Sequence, residues 1–221
     1  MSTPDVNPPA ALPVKPRMRG VLHQYAFFVS LVLGAAIVIL APDGKARLAA
    51  AIYAFAVSSL LGTSALYHRV TWRPRARAWM RRLDHTMIFV LIAGTYTPFA
   101  LLVLHGSLAT AILIVVWAGA FGGMVLNLVW VSAPKWLSAT VYLALGWVAV
   151  VAVPALAREL GALGIALVIA GGLMYTAGAI IYALGRPNPR PATFGYHEIF
   201  HALVVAAAAA HFAVVAFYAL P

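Results

Sequence analysis

His197 and His201 stand four residues apart in His197-Glu-Ile-Phe-His201, and Ser64 and His68 repeat that spacing in Ser64-Ala-Leu-Tyr-His68. On an α-helix such pairs project from nearly one face, one turn apart, as two ligands of a single ion require. Three neutral imidazoles, His68, His197 and His201, leave one position of a tetrahedral zinc open. That arrangement lowers the pKa of a bound water to about 7 and makes it a nucleophile. Asp84 is a candidate acceptor for a hydrogen bond from that water. The chain has no cysteine, so disulfides and thiolate ligands are excluded, and His, Asp or Glu must hold any metal. His-Glu-x-x-His is also the metalloprotease pattern, with its Glu as general base. Against that alternative, the Asn188-Pro189 pair precedes the motif in a basic stretch with no Asp nearby.

The elements that carry these residues follow from composition. Of 221 residues 64% are hydrophobic and 9% charged, whereas a water-soluble domain carries about 25% charged residues. The outer surface must therefore face lipid. Cutting the chain at charges, Pro and Gly gives seven runs long enough to cross a bilayer core: Val21 to Ala41, Leu48 to His68, Asp84 to Leu104, Ser107 to Val131, Trp136 to Ala157, Gly161 to Leu184 and Tyr196 to Leu220. The expected fold is an all-α, polytopic seven-helix bundle over residues 20–221. Residues 1–19, with Pro4, Pro8, Pro9, Pro13 and Pro16 and a basic end, read as a disordered tail. Gly20 to Ala41 exceeds the apolar core of a signal peptide and is expected to stay as the first helix.

Twelve of the fifteen Lys and Arg fall on one side of such a bundle, leaving Lys45, Arg47 and Arg158 on the other. Basic loops stay cytoplasmic, so the N-terminus is expected inside and the C-terminus outside, in a multi-pass protein of the cell inner (plasma) membrane. His68 then closes helix two, Asp84 opens helix three and His197 opens helix seven, all at the cytoplasmic end. An ionisable group in lipid costs several kcal/mol, roughly 2.5–3.5 at mid-helix on insertion scales, so this convergence needs an explanation, either a shared metal or hydration of each imidazole at the headgroup level. Elsewhere the expectations are plainer. The Arg69–Arg82 loop, with Trp72 and Trp79 among six arginines, suits anionic headgroups rather than nucleic acid. Gly119, Gly122, Gly123, Gly171, Gly172 and Gly178 are expected at helix contacts, and Pro98 and Pro154 at bends. His211 and Asn127 are expected to bond between helices, His85 to pack or to support the residues of the site, and His23 and His105 to lie at the interface.

Ser64-Ala-Leu-Tyr-His68, Asp84-His85, His197-Glu-Ile-Phe-His201 with its alanine-rich run to His211-Phe212, and Arg19-Gly-Val-Leu-His23 together resemble the hemolysin III family. That family is similar to the adiponectin and progestin receptors and, more distantly, to the alkaline ceramidases. The resemblance covers nearly everything after the tail. It implies direct zinc ligation by His68, His197 and His201, with Asp84 reaching the metal through water and Ser64 near that water. Three functions are expected to compete. One is a zinc-dependent hydrolase of a membrane-lipid amide or ester, with Asp84 and Ser64 catalytic. Another is a receptor-like membrane sensor whose zinc is structural. The last is the cytolytic or pore-forming activity in the family's name, which a polar lining confined to one end disfavours. The long N-terminal domains of the eukaryotic receptors have no counterpart here, so hormone recognition is not implied.

Overall fold

Lipid offers backbone N–H and C=O groups no partners, and a helix satisfies them within one segment. The computed structural model describes residues 15–130 and 134–220, and they are helical apart from short connections and an isolated bridge between Arg190 and Phe194. Residues 1–14 of the expected disordered tail lie outside the described residues. The elements are α1 (Val21–Leu40), α2 (Lys45–Arg69), α3 (Pro74–Pro98), α4 (Gly106–Val129), α5 (Lys135–Gly146), α6 (Val153–Leu184) and α7 (Tyr196–Val214). A 3-10 segment, Trp147–Ala152, joins α5 to α6, and wide π turns extend α3 over Phe99–Val103 and α7 over Val215–Ala219. The first of these follows Pro98, and the Leu104 N–H closes it on Phe99 O at 2.8 Å. Pro154 sits in the first turn of α6, where it ends the 3-10 segment without losing a helix bond.

Six helical runs among the described residues are long and apolar enough to cross a membrane, against the seven expected. The difference lies in Trp136–Leu184, which is one helical run of 49 residues rather than two. It is not straight. Gly161, inside α6, has φ 66 and ψ 179. Trp147 Nε1 donates to Thr176 Oγ1 at 3.2 Å although 29 residues separate them. A straight helix would hold those residues about 43 Å apart, so the chain folds back near Gly161.

A second difference concerns α3, which begins at Pro74 rather than at Asp84. Pro is pre-set for the first helical turn, so Arg75, Arg77, Arg81 and Arg82 are helical and Asp84 lies well inside α3. The expected Arg69–Arg82 loop is thus the end of α2, a short link and the opening turns of α3.

Consecutive helices pack as neighbours, α1 on α2, α2 on α3 and α3 on α4, while α7 packs on α6 and touches α1. The core centres on Tyr53, Phe89, Val116 and Val214, and side chains such as Val32, Ile39, Phe55, Phe121 and Phe217 point outward. Small residues matter where expected at four positions. A Cβ on Gly119 would come 2.6 Å from Leu145 and one on Gly178 3.2 Å from Phe200, while Gly123 and Gly171 lie flush against the Phe89 and His211 rings. Gly122 and Gly172 face open space. Asn127 donates to the Tyr142 hydroxyl at 3.1 Å, and His211 Nε2 lies 3.1 Å from Val168 O, so both make the interhelical bonds expected of them.

Candidate metal centre

The last two turns of α2 supply Ser64 and His68, the interior of α3 supplies Asp84, and the first turns of α7 supply His197 and His201. The helix period keeps each pair on one face, and the folding of the chain brings the faces together. His68, His197 and His201 offer ring nitrogens that all lie within 4.8 Å of one another. His68 Nε2 and His197 Nε2 are 3.1 Å apart. Asp84 Oδ2 lies 3.8 Å from His68 Nε2, and Ser64 and Asp84 line the same cavity. All five expected site residues therefore meet in one place.

The donor set fits zinc. Two nitrogens about 2.0–2.1 Å from a tetrahedral zinc stand about 3.3 Å from each other, close to the His68–His197 separation. Imidazole nitrogens with a carboxylate beside them also match its ligand preference. His68, His197 and His201 would hold such an ion, and Asp84 and Ser64 would be its neighbours.

Two neighbours escaped the sequence reading. His23, expected at the interface, is instead buried, and its ring stacks on His201 with centroids 3.8 Å apart and planes 10° from parallel. The signal was present, because His23 opens a span at the same end as His68 and falls under the same depth argument. Arg19 is the other. Its Nε pairs with Glu198 Oε1, while Glu198 Oε2 accepts the Gly195 N–H at 2.7 Å. Glu198 is thus buried and bonded through both oxygens. The segment before α1 is fixed as well, since Arg17 and Met18 N–H groups donate to Ala192 and Thr193 carbonyls at 3.0 and 3.1 Å.

Gly20 makes the approach of α1 to this centre possible. Its φ is +80, and a Cβ there would stand 2.6 Å from His68 Cβ. His85 and His105 differ in role. His85 lines the cavity described next, whereas His105 lies exposed in the turn before α4.

Ser64, Asp84, His197 and His201 form one end of a cavity of about 270 Å³ that runs between α3, α5, α6 and α7. Its remaining wall is mostly apolar, with Leu60, Ile88, Phe99, Leu156 and Val204 among the lining side chains, and it extends to Tyr175 and His211.

A family model described as "Haemolysin-III related" matches residues 13–212. A hemolysin-3 homolog of Bacillus subtilis (strain 168) is 39% identical over 166 residues, covering 74% of this chain and 75% of that protein. Hemolysin-3 of Bacillus cereus is 35% identical over 196 residues, 86% of each chain. The human monocyte to macrophage differentiation factor is 25% identical over 197 residues, covering 86% of this chain and 78% of that one.

Proposed function

The chain belongs to the haemolysin-III related family, and from that premise we propose that it is a plasma-membrane zinc hydrolase acting on a lipid amide or ester. The observation that carries this reading is the meeting of His68, His197 and His201 beside Asp84 and Ser64 at the end of a largely apolar cavity. Zinc held there would polarise a carbonyl oxygen and make water acidic enough to act as a nucleophile near neutral pH. The chain's own groups do the rest. Asp84 takes the proton of the attacking water at its carboxylate and returns it to the leaving nitrogen or oxygen as the acyl C–N or C–O bond breaks. Ser64, one helical turn before His68, lies near the oxygen on which charge develops. The apolar cavity receives the acyl chain and excludes bulk water. Glu198 has a structural role in this reading, because Arg19 and the Gly195 N–H hold its two oxygens.

A topology of seven crossings, with the N-terminus cytoplasmic and the C-terminus outside, accompanies this proposal. Parity supports it. From the end of α2 to the start of α7 the chain runs through α3, α4 and the Trp136–Leu184 run. If that run crossed only once, His197 would lie across the membrane from His68, yet their nitrogens are 3.1 Å apart. The fold-back at Gly161 supplies the extra crossing. The basic face then includes Lys15, Arg69, Arg75, Arg77 and Arg81. The Lys15 ammonium is held below its usual pKa by partial burial and by nearby Arg69, Arg77 and Arg19. Such crowding of positive charge suits anionic headgroups of the cytoplasmic leaflet.

A second reading, a membrane sensor with structural zinc, is favoured by the way the histidines bridge α2 and α7 with His23 of α1 stacked on top. One experiment separates the two. Purified protein is expected to carry about one zinc per chain, and His68→Ala or His201→Ala to lose it, since two ligands remain of three. Asp84→Asn is expected to keep zinc and lose hydrolysis of a lipid amide or ester. Equal zinc in wild type and ligand variants would end the metal assignment. Zinc without turnover in a lipid-substrate screen would favour the sensor.

A further inference from the structure

The far end of the cavity carries polar atoms that the proposed chemistry does not use. His211 Nε2 lies 3.1 Å from the Val168 carbonyl, a contact that only an N–H can satisfy. The neutral ring therefore carries its proton on Nε2 and presents Nδ1 as a bare acceptor. Nδ1 is buried with no hydrogen-bond partner among the described residues, and so is the hydroxyl of Tyr175. The two rings come from α7 and α6, their centroids are 5.6 Å apart, and both line the cavity that contains His197 and His201. Two unmatched polar atoms on different helices, inside a bundle that faces lipid, are costly unless something binds them.

We infer that Tyr175 and His211 form a second polar subsite, which takes a hydroxyl group on the chain of an amphiphilic ligand. A hydroxyl is the group that meets both atoms together, donating to His211 Nδ1 while accepting from the Tyr175 O–H. A carbonyl would leave Nδ1 unmatched, and an ammonium would have to be desolvated without a counter-charge. Ten helical residues separate His201 from His211, about 15 Å along α7. The favoured ligand thus carries its hydroxyl about 15 Å from the carbonyl end held at the histidine centre. The inference rests on the cavity being the ligand site of the proposed function, and it does not require turnover.

The test uses the full chain in detergent and two probes, stearic acid amide and the same amide with its hydroxyl about twelve carbons beyond the carbonyl, the extended-chain equivalent of that helical spacing. Dissociation constants are read by titration calorimetry for wild type and Tyr175→Phe, a variant that deletes only the unpartnered hydroxyl. Wild type is expected to prefer the hydroxylated amide by about tenfold, the effect of one to two added hydrogen bonds. Tyr175→Phe is expected to lose that preference while binding the plain amide as before. Equal affinities in wild type, a preference that survives in Tyr175→Phe, or binding of neither amide would each overturn the subsite. Selective binding without cleavage would uphold the subsite and defeat the hydrolase reading. Cleavage without hydroxyl preference would do the reverse.

Discussion

Glu198 separates two chemistries that one motif allows. In His197-Glu198-x-x-His201 a protease would use the Glu as base, which requires a carboxylate free to take a proton. Here Oε1 is paired with Arg19 and Oε2 accepts the Gly195 N–H, so the side chain caps α7 and anchors the segment before α1. Glu198→Gln is therefore expected to retain zinc while the thermal midpoint falls. Breaking a buried pair costs about 3–5 kcal/mol, and the lower end applies because Arg19 keeps 21% of its side chain exposed. Turnover lost at an unchanged midpoint would reinstate Glu198 as a base. Gly20→Ala is expected to act on the metal itself. The left-handed backbone at φ +80 costs an ordinary residue about 1–2 kcal/mol, and the new Cβ meets His68 Cβ at 2.6 Å. Zinc affinity measured by chelator competition should fall with stability, and an unchanged affinity would show that His68 does not depend on this approach. Spacing and depth made His68, His197, His201, Asp84 and Ser64 legible as a group. His23 and Arg19 were less so, because a His or Arg at a helix end is ordinary interfacial chemistry until its partner is known.

At the scale of elements, hydropathy reads where lipid begins and says little about where a helix begins. The cut at Asp84 marked the end of the arginine run. Pro74 starts α3 ten residues earlier, because Arg is a good helix former whose long stem reaches the interface from a helical backbone. The fusion of α5 and α6 into one run has a different cause, since Gly161 makes the turn with a single backbone distortion instead of a polar loop. Its φ of 66 with ψ of 179 belongs to a region that is essentially glycine-only. Gly161→Ala is expected to destabilise by about 1–3 kcal/mol through the backbone alone, since nothing lies within 4 Å of the added Cβ. Gly122→Ala and Gly172→Ala also add a Cβ to open space but at helical backbone angles. They are expected to be neutral or stabilising by up to about 1 kcal/mol. Thermal midpoints of the three variants in one detergent test this contrast, and equal midpoints would show that the fold-back does not depend on glycine.

The whole molecule turns on whether residues 136–184 cross the membrane once or twice. Local hydropathy cannot separate the two, because a long apolar run looks the same to lipid whether straight or folded. Two long-range contacts favour the proposed second crossing. His68 meets His197, which places the end of α2 and the start of α7 on one side, and Trp147 meets Thr176 across the Gly161 turn. With two crossings, Asp43 and Glu159 share one face of the membrane, while Thr71 and Arg186 share the other. With one crossing, Glu159 falls within the bilayer and Arg186 joins Asp43. The chain has no native cysteine, so single-cysteine variants report these positions directly. In intact cells a membrane-impermeant maleimide is expected to label Asp43→Cys and Glu159→Cys and to spare Thr71→Cys and Arg186→Cys, with the pattern reversed in inside-out vesicles. Labelling of Arg186→Cys together with Asp43→Cys would remove the extra crossing. It would also separate His68 from His197 by the thickness of the membrane, leaving no place at which three imidazoles could share an ion.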